Sequence, residues 1–596
     1  MSLLSYYSEQ IKKYQKALDQ IQKKEDRLSL SRLLTFALAL VLFYVTLGIS
    51  LGVAILLLTV GLILFTYVIK QHVNTIQQRI HLQNLLIINK KELACINGNF
   101  QNYPDGHEHI DKEHPFTSDL DIFGKSSLFQ YLNRTTSNPG YNLLAKWLKS
   151  PSEVEKINER QEAVTELKDM STWRQELMAI GYKYADSHND PEILIEWILE
   201  KPHFLNNNFL KIAINILSLL SIFSIIVLPF GMPVSIISLL ITINISVFYK
   251  KLKDISTIHK RVTKTAELLK SYEEAILLIE NQIFKSSRLN ELQKRFILSD
   301  TSASKEIREL STLVHKLDYR LNLLISLPAN LLYFWDIRQV LKLEKWKTQN
   351  RAHLHQWFSA MAEFEAISSL ANLYFNNPEW VMPSVSLDHF RLSSIEMGHP
   401  LIPKIRRVCN NFNVDGIGKI VIVTGSNMSG KSTFLRTCGA NIVLAMAGAP
   451  VCAKKFEISR VNILTSMRIT DSLEENTSSF YAELKRLAII IKTVENKENV
   501  FLLLDEILRG TNSNDRHIGS VALIRQLIRS EAIGIIATHD LALSNLATEL
   551  PQQIDNYNFD VKVEDDELFF DYKLSKGICK SLNASILMRK MGIKVQ

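Results

Sequence analysis

From Leu33 to Ile69 the chain carries no charged residue, and the core of an ordinary water-soluble domain does not absorb a run of that length. One spanning helix needs about 20 apolar residues, so these 37 positions suit two short spans with a turn at Gly48-Ile49-Ser50-Leu51-Gly52. Lys12, Lys13, Lys16, Lys23, Lys24, Arg27 and Arg32 precede the run, and Lys70, Arg79, Lys90 and Lys91 follow it. Basic flanks on both sides place both ends inside and predict a hairpin (33–70) behind a basic N-terminal helix (1–32). A second apolar block, Phe209–Tyr249, is split at Pro229-Phe230-Gly231-Met232-Pro233, with Lys211 at its leading edge and Lys250, Lys251 and Lys253 behind it. It predicts a second hairpin (209–250), within which Asn215 and Asn244 are candidates for hydrogen bonds across helices. The shorter patch Leu321–Trp335 is interrupted by Pro328. It reads as helix packing inside the fold, with a re-entrant membrane segment as the alternative. The expected setting is the inner (cytoplasmic) membrane, multi-pass, with the lipid bilayer as a partner.

The second strong constraint lies far downstream. A β-branched run, Ile420–Val423, is followed by Thr424-Gly425-Ser426-Asn427-Met428-Ser429-Gly430-Lys431-Ser432-Thr433 and then by an apolar-periodic helix. This is a complete G-x-x-x-x-G-K-[ST] phosphate loop in strand–loop–helix context. Gly425 and Gly430 let the backbone curl so that successive N–H groups and the helix N-terminus face phosphates. Lys431 would reach the β/γ oxygens of ATP, and Ser432 would hold Mg²⁺.

A matching second half follows. Val500–Leu504 is a continuous apolar run ending in Asp505-Glu506, the pattern of a buried strand that delivers two carboxylates to a phosphate site. Asp505 would bind Mg²⁺ through water, and Glu506 would orient the attacking water as general base. A further apolar strand, Ile533–Ala537, is capped by Thr538-His539-Asp540. There His539 would sense or polarise the γ-phosphate. From about Phe390 strands and helices alternate, which argues for a parallel-sheet α/β domain over 385–596. Elsewhere composition says little. A formal net charge of +8 permits contact with nucleic acid or anionic lipid and proves neither. The five cysteines are scattered without a C-x-x-C pair, so disulfide and metal-site readings are unsupported.

Taken together, these residues resemble the MutS family of DNA mismatch-repair ATPases. The carriers are TGSNMSGKST at Thr424–Thr433, DEILRGTNSNDR at Asp505–Arg516, and DSLEENTSSFYAEL at Asp471–Leu484, which is similar to the family's signature segment. His399-Pro400, Thr538-His539 and the closing stretch Gly577–Gly592 fit as well. Upstream, LFQYLNRTTSNPGYNLLAKWL and INERQEAVTEL are similar to the start of the family's core domain, and Phe364–Pro383 to the end of its lever helices. The resemblance covers roughly 115–200 and 360–596.

The resemblance implies a homodimer in which each ATP lies between one subunit's phosphate loop and the partner's signature serine. Ser478, beside Thr477 and Ser479, would act in trans, and Asp515 would sit in the loop coupling the two sites. The implied fold class is multidomain, α plus α/β: four transmembrane helices in two hairpins, a MutS-like helical core (71–208) with its lever part (251–384), and a C-terminal P-loop ATPase domain of ABC type. Departures are equally specific. The family's mismatch-reading domain has no counterpart, a basic helix and apolar hairpin standing in its place. Ser429, Leu508 and Arg516 replace glycines of the family pattern.

The expected function is therefore a membrane-anchored ATPase that hydrolyses ATP at composite dimer sites and clamps mismatched or branched DNA. The alternatives are a mechanochemical membrane ATPase acting on a protein or lipid partner, and an ABC-type transporter. Against the transporter stand the missing LSGGQ-type signature and spans with no central charge.

Overall fold

The computed structural model describes residues 2–183, 191–263, 266–388, 390–426, 428–468, 479–496, 498–564 and 567–579. Ser2 caps the first helix, its hydroxyl accepting from the Ser5 amide at 3.1 Å. That helix runs unbroken over Leu3–Leu47, the chain turns at Gly48–Ser50, and a second helix runs over Leu51–Ile96. The turn falls where the sequence places it, but the basic segment and the apolar span form one continuous helix. At 1.5 Å per residue each helix is roughly 68 Å long, about twice a bilayer's hydrocarbon thickness. The upper halves expose leucine and valine all round. The lower halves carry the charges: Arg79 pairs with Glu25 between the two helices at 2.7 Å, and Tyr7 docks on the helical core by donating to Asn376 Oδ1 at 2.7 Å.

Small residues let the two apolar halves touch. Ala39 and Ala54 are buried between them, and a Cβ added at Gly61 would stand 2.5 Å from the Ala39 methyl. Phe36 and Phe65 meet at 5.3 Å between ring centroids. Gly61→Val should force the helices apart at this crossing and destabilise the hairpin by about 1–3 kcal/mol, as overpacking does. Crosslinking between cysteines placed at positions 36 and 65 should fall accordingly.

The second hairpin comprises Asn208–Val227 and Val234–Thr263, joined through Leu228–Phe230 and Gly231 at φ 96°. Its inner seam is polar and, apart from the buried Asn244 Oδ1, hydrogen-bonded among the described residues. Ser218, Ser221 and Ser224 return their hydroxyls to carbonyls of Ile214, Leu217 and Ser221. Asn244, fully buried, donates to Ser221 Oγ at 2.8 Å and to the Leu331 carbonyl at 2.6 Å. Asn215, the other candidate, is exposed, because it lies on the outer face of its helix. Among the described residues, the four helices of these hairpins are long and apolar enough to cross a membrane. The patch at Leu321–Trp335 differs from the expected interior packing. Its helix, Leu323–Tyr333, lies against both helices of the second hairpin and leaves Leu323, Leu324 and Leu327 exposed.

The helical core is built on Asn138–Lys149, Val154–Asp169, Ser171–Tyr182 and the long Leu354–Asn376 helix. Glu365 of that last helix is buried and accepts from Thr136 and Ser137. Past Asn376 the chain enters ten strands among the described residues: β1 Ser384–Ser386, β2 Arg391–Met397, β3 Asn410–Asp415, β4 Ile420–Gly425, β5 Lys455–Ser459, β6 Asn462–Ser466, β7 Val500–Asp505, β8 Ile533–Thr538, β9 Ile554–Glu564 and β10 Glu567–Lys576. One sheet has the order β1-β5-β2-β3, the other β10-β9-β4-β8-β7-β6. In the larger sheet β4, β6, β7, β8 and β9 run parallel, and β10 returns antiparallel. Continuous apolar runs suit strands covered on both faces, and every residue of β4, β7 and β8 is buried. The Lys431–Ala447 helix covers this sheet, with Gly439 set closely between Leu120 and Leu503. One apolar core runs from the helical region into this domain.

Candidate functional site

Because β8 lies between β4 and β7, the carboxyl ends of these three strands stand side by side. Such an edge is where open α/β sheets bind ligands. After β4 come the phosphate loop and its helix, after β7 come Asp505 and Glu506, and after β8 comes His539. The sheet thus gathers residues more than a hundred positions apart.

Lys431 is buried and donates to the carbonyls of Gly425 at 2.8 Å and Ser426 at 2.9 Å. Burial lowers its pKa, while Glu506 and Asp505 pull the other way. Gly430 caps the helix at φ 107°, where a Cβ would lie 3.1 Å from the Tyr572 ring. A Cβ at Gly425 would stand 2.9 Å from the Phe559 carbonyl oxygen. Gly430→Ala therefore combines left-handed backbone strain with a crowded ring. It should cost about 1–2 kcal/mol and weaken nucleotide binding, checked by thermal unfolding with and without ATP.

Asp505 is buried; burial raises its carboxyl, opposed by its hydrogen bond with Ser432 and the charge of Arg509. Its Oδ1 is buried without a hydrogen-bond partner among the described residues, as are the hydroxyl oxygens of Ser426 and Ser429. Unsatisfied buried oxygens are costly, and a carboxylate beside a serine hydroxyl is the oxygen donor set that Mg²⁺ takes. Beside them opens a cavity of about 390 Å³, lined by Lys431, Ser432, Thr433 and Glu506 together with His399, Phe559 and Tyr572. Burial, with Arg436 and Arg407 nearby, holds His399 down at about 4, so its ring is neutral at pH 7. Aromatic side chains beside a phosphate loop suit a nucleotide, which presents both a flat base and phosphates.

Glu506 lies 3.6 Å from His539 Nδ1 and 3.4 Å from Arg509 Nε. Arg509 also approaches Asp505 at 3.6 Å and donates to the Asp505 and Glu506 carbonyls. Sequence reading passed over Arg509, although its place four residues after Asp505 in a tight turn was the available signal. It also passed over Glu483, whose carboxylate accepts the amides of Leu508 and Arg509. The turn it braces is strained, with Glu506 at φ 53° and Leu508 at φ 61°. Leu508 thus adopts the backbone a glycine would favour, and burial of its side chain holds it there.

Asp515 stands apart from this cluster. Asp515 is exposed in the first turn of the Ser513–Arg529 helix, where its amide and carboxylate both bond Asn512 and its side chain does not line the cavity. Ser478 and Asn427 lie outside the described residues, as does most of the signature segment and of the closing stretch. The edge strand β6 leading toward that segment is fastened to the helical core. Asp119 accepts from the amides of Met467 and Arg468, and Arg468 forms a two-point pair with Asp121 at 2.7 and 2.9 Å. Asp121 also pairs with Arg436 of the phosphate-loop helix at 3.4 Å.

Comparison with known proteins agrees with this geometry. Residues 421–591 match the family model of MutS domain V. The chain is similar to MutS protein homolog 4 of Mus musculus, 32% identical over 196 residues, covering 31% of this chain and 20% of the relative. To the DNA mismatch repair protein MutS of Thermotoga neapolitana it is 31% identical over 251 residues, 41% of this chain and 30% of the relative. To that of Caldicellulosiruptor bescii it is 27% identical over 521 residues, 79% of this chain and 58% of the relative. The chain thus spans from a fifth to under two thirds of the length of these relatives. The domain match lies on the strands and loop that build the site, so residues 421–591 form a domain of the MutS domain V type.

Proposed function

We propose that this chain is a membrane-anchored MutS-type ATPase that binds and hydrolyses ATP with Mg²⁺ at sites completed by a second copy. The convergence of Lys431, Ser432, Asp505, Glu506 and His539 at three adjacent strand ends carries the reading. In this account the phosphate-loop amides and Lys431 hold the β- and γ-phosphates, and His399, Phe559 and Tyr572 face the base. Ser432 and Asp505 hold Mg²⁺, which supplies charge neutralisation at the phosphates. Glu506 accepts the proton of the attacking water, and His539 orients Glu506 and the γ-phosphate. Ser478 of a second copy and Asp515 close and couple the paired sites. The two apolar hairpins anchor the protein in the cytoplasmic membrane, with the ATPase domain in the cytoplasm.

DNA is the proposed object of the cycle, on the strength of relatives named as mismatch repair proteins. A lipid or protein partner is the second reading. It is favoured by one observation: the second hairpin and the helix beside it expose Leu228, Phe230, Val234, Leu323 and Leu324, and no Lys or Arg stands between Ile212 and Tyr249 to meet DNA phosphates. Turnover of the full chain in detergent, with and without linear, mismatched and branched DNA, separates the two. A salt-sensitive change with one DNA form supports DNA, since phosphate contacts release counterions. Turnover indifferent to every form, without DNA binding, supports the second reading.

A further inference from the structure

We propose that Leu321–Trp335 is a fifth membrane-embedded element, a short helix that enters the acyl region and leaves on the side it entered. The proposal rests on the hairpins lying in a bilayer.

Three observations support it. First, the segment is apolar and bare: Leu321, Leu323 and Leu324 are 72%, 78% and 88% exposed, with Leu327 and Ile325 on the same surface. Leaving that much leucine in water forfeits about 1.5–3 kcal/mol per side chain, whereas acyl chains cover it. Second, its uncovered face continues that of the second hairpin. The helix lies against both hairpin helices, and Asn244, buried within the hairpin, donates to the Leu331 carbonyl at 2.6 Å. A lipid surface is the one occupant that covers the hairpin and this helix together. Third, the two ends of the segment meet. Arg320 and Asp336 bracket it and stand 3.5 Å apart, and Arg320 is tied to Ser256 at 3.0 Å. A segment whose entry and exit share an ion pair does not cross. At eleven residues its helix spans roughly 16 Å, about half the hydrocarbon core.

The base of the loop has the chemistry of a membrane interface. Tyr319 stacks on Trp335, Trp335 donates its indole N–H to the Lys316 carbonyl, and Arg338 lies over the Tyr333 ring at 4.3 Å. Aromatic and arginine side chains gather at headgroup depth. Trp335 opens the Trp335–Asn350 helix, which packs into the core, so the dipping helix is rigidly joined to the helices that lead toward the ATPase domain.

The test places single cysteines by Leu38→Cys, Leu324→Cys and Ile283→Cys in a Cys409→Ser background, the other four native cysteines being buried. The full chain, labelled with a fluorophore, is reconstituted in phosphatidylcholine–phosphatidylglycerol vesicles carrying nitroxide on the acyl chains. Ile283, exposed in a loop of the soluble part, is the water reference, and Leu38 on the first hairpin is the lipid reference. Quenching at 324 of at least half that at 38, well above that at 283, is the expected result. Quenching at 38 but not at 324 overturns the proposal and leaves the hairpin anchor standing. Quenching at neither position overturns the anchor, and this proposal with it.

Discussion

Glu506→Gln is expected to slow ATP turnover by about 10²–10⁴-fold, the usual contribution of a positioned general base. The amide keeps the size of the carboxylate and can still accept a hydrogen bond from Arg509 or His539, both within 3.6 Å of it. What it loses is the capacity to take a proton from water. On the proposed reading the nucleotide is held by the loop, Lys431 and the aromatic lining, so affinity for ATP should stay within a few-fold of the parent. Steady-state hydrolysis beside equilibrium binding of a labelled nucleotide separates the two effects. Turnover surviving with binding intact would move the role of base to another group, His539 being the nearest.

The second large effect is structural. Glu92, near the end of the second helix of the first hairpin, is buried against Arg134 of the core, which also donates to Glu92 Oε2 at 3.2 Å and lies 3.7 Å over the Tyr103 ring. Asn376, at the end of the long helix that leads to the ATPase domain, donates to the same carboxylate at 2.8 Å. Glu92→Ala strands a buried guanidinium and should destabilise the protein by about 3–5 kcal/mol. Replacing both partners, Glu92→Leu with Arg134→Met, should recover most of that loss, because neither charge is then left alone. Burial pushes the Glu92 carboxyl up, but the charge and hydrogen bonds of Arg134 and the bonds from Asn376 and Asn372 outweigh it, so the net direction is down. A carboxyl depressed in the folded state adds stability that is complete above its ordinary value of 4.5 and is lost as pH falls through the lower folded value. Unfolding midpoints should therefore drop below pH 4.5 in the parent and respond less to acid in the double variant.

That network was invisible in the sequence. Glu92, Arg134 and Asn376 are far apart in the chain, and each reads locally as an ordinary helix-surface or loop residue. The apolar runs and the phosphate loop were legible because each is contiguous: the Gly48–Gly52 turn, the Pro229–Pro233 break and the strands ending in Gly425 and Asp505 all fall where composition places them. Pairing across helices was only half legible. Asn215 and Asn244 look alike in sequence, yet the helix faces turn one outward and the other onto Ser221. Leu508 stands where the family pattern has glycine, and the strain it accepts is offset by apolar packing that no local motif records. The exposure of Leu323–Leu327 depended on the neighbouring hairpin and likewise could not be read from its own residues.

The most direct test of the account is flotation of the reconstituted full chain through a density gradient after alkaline carbonate washing, with ATP hydrolysis assayed in every fraction. The account predicts Mg²⁺-dependent turnover that floats with the vesicles, resists carbonate, and disappears in Glu506→Gln. Turnover released into the soluble fractions by carbonate would contradict it.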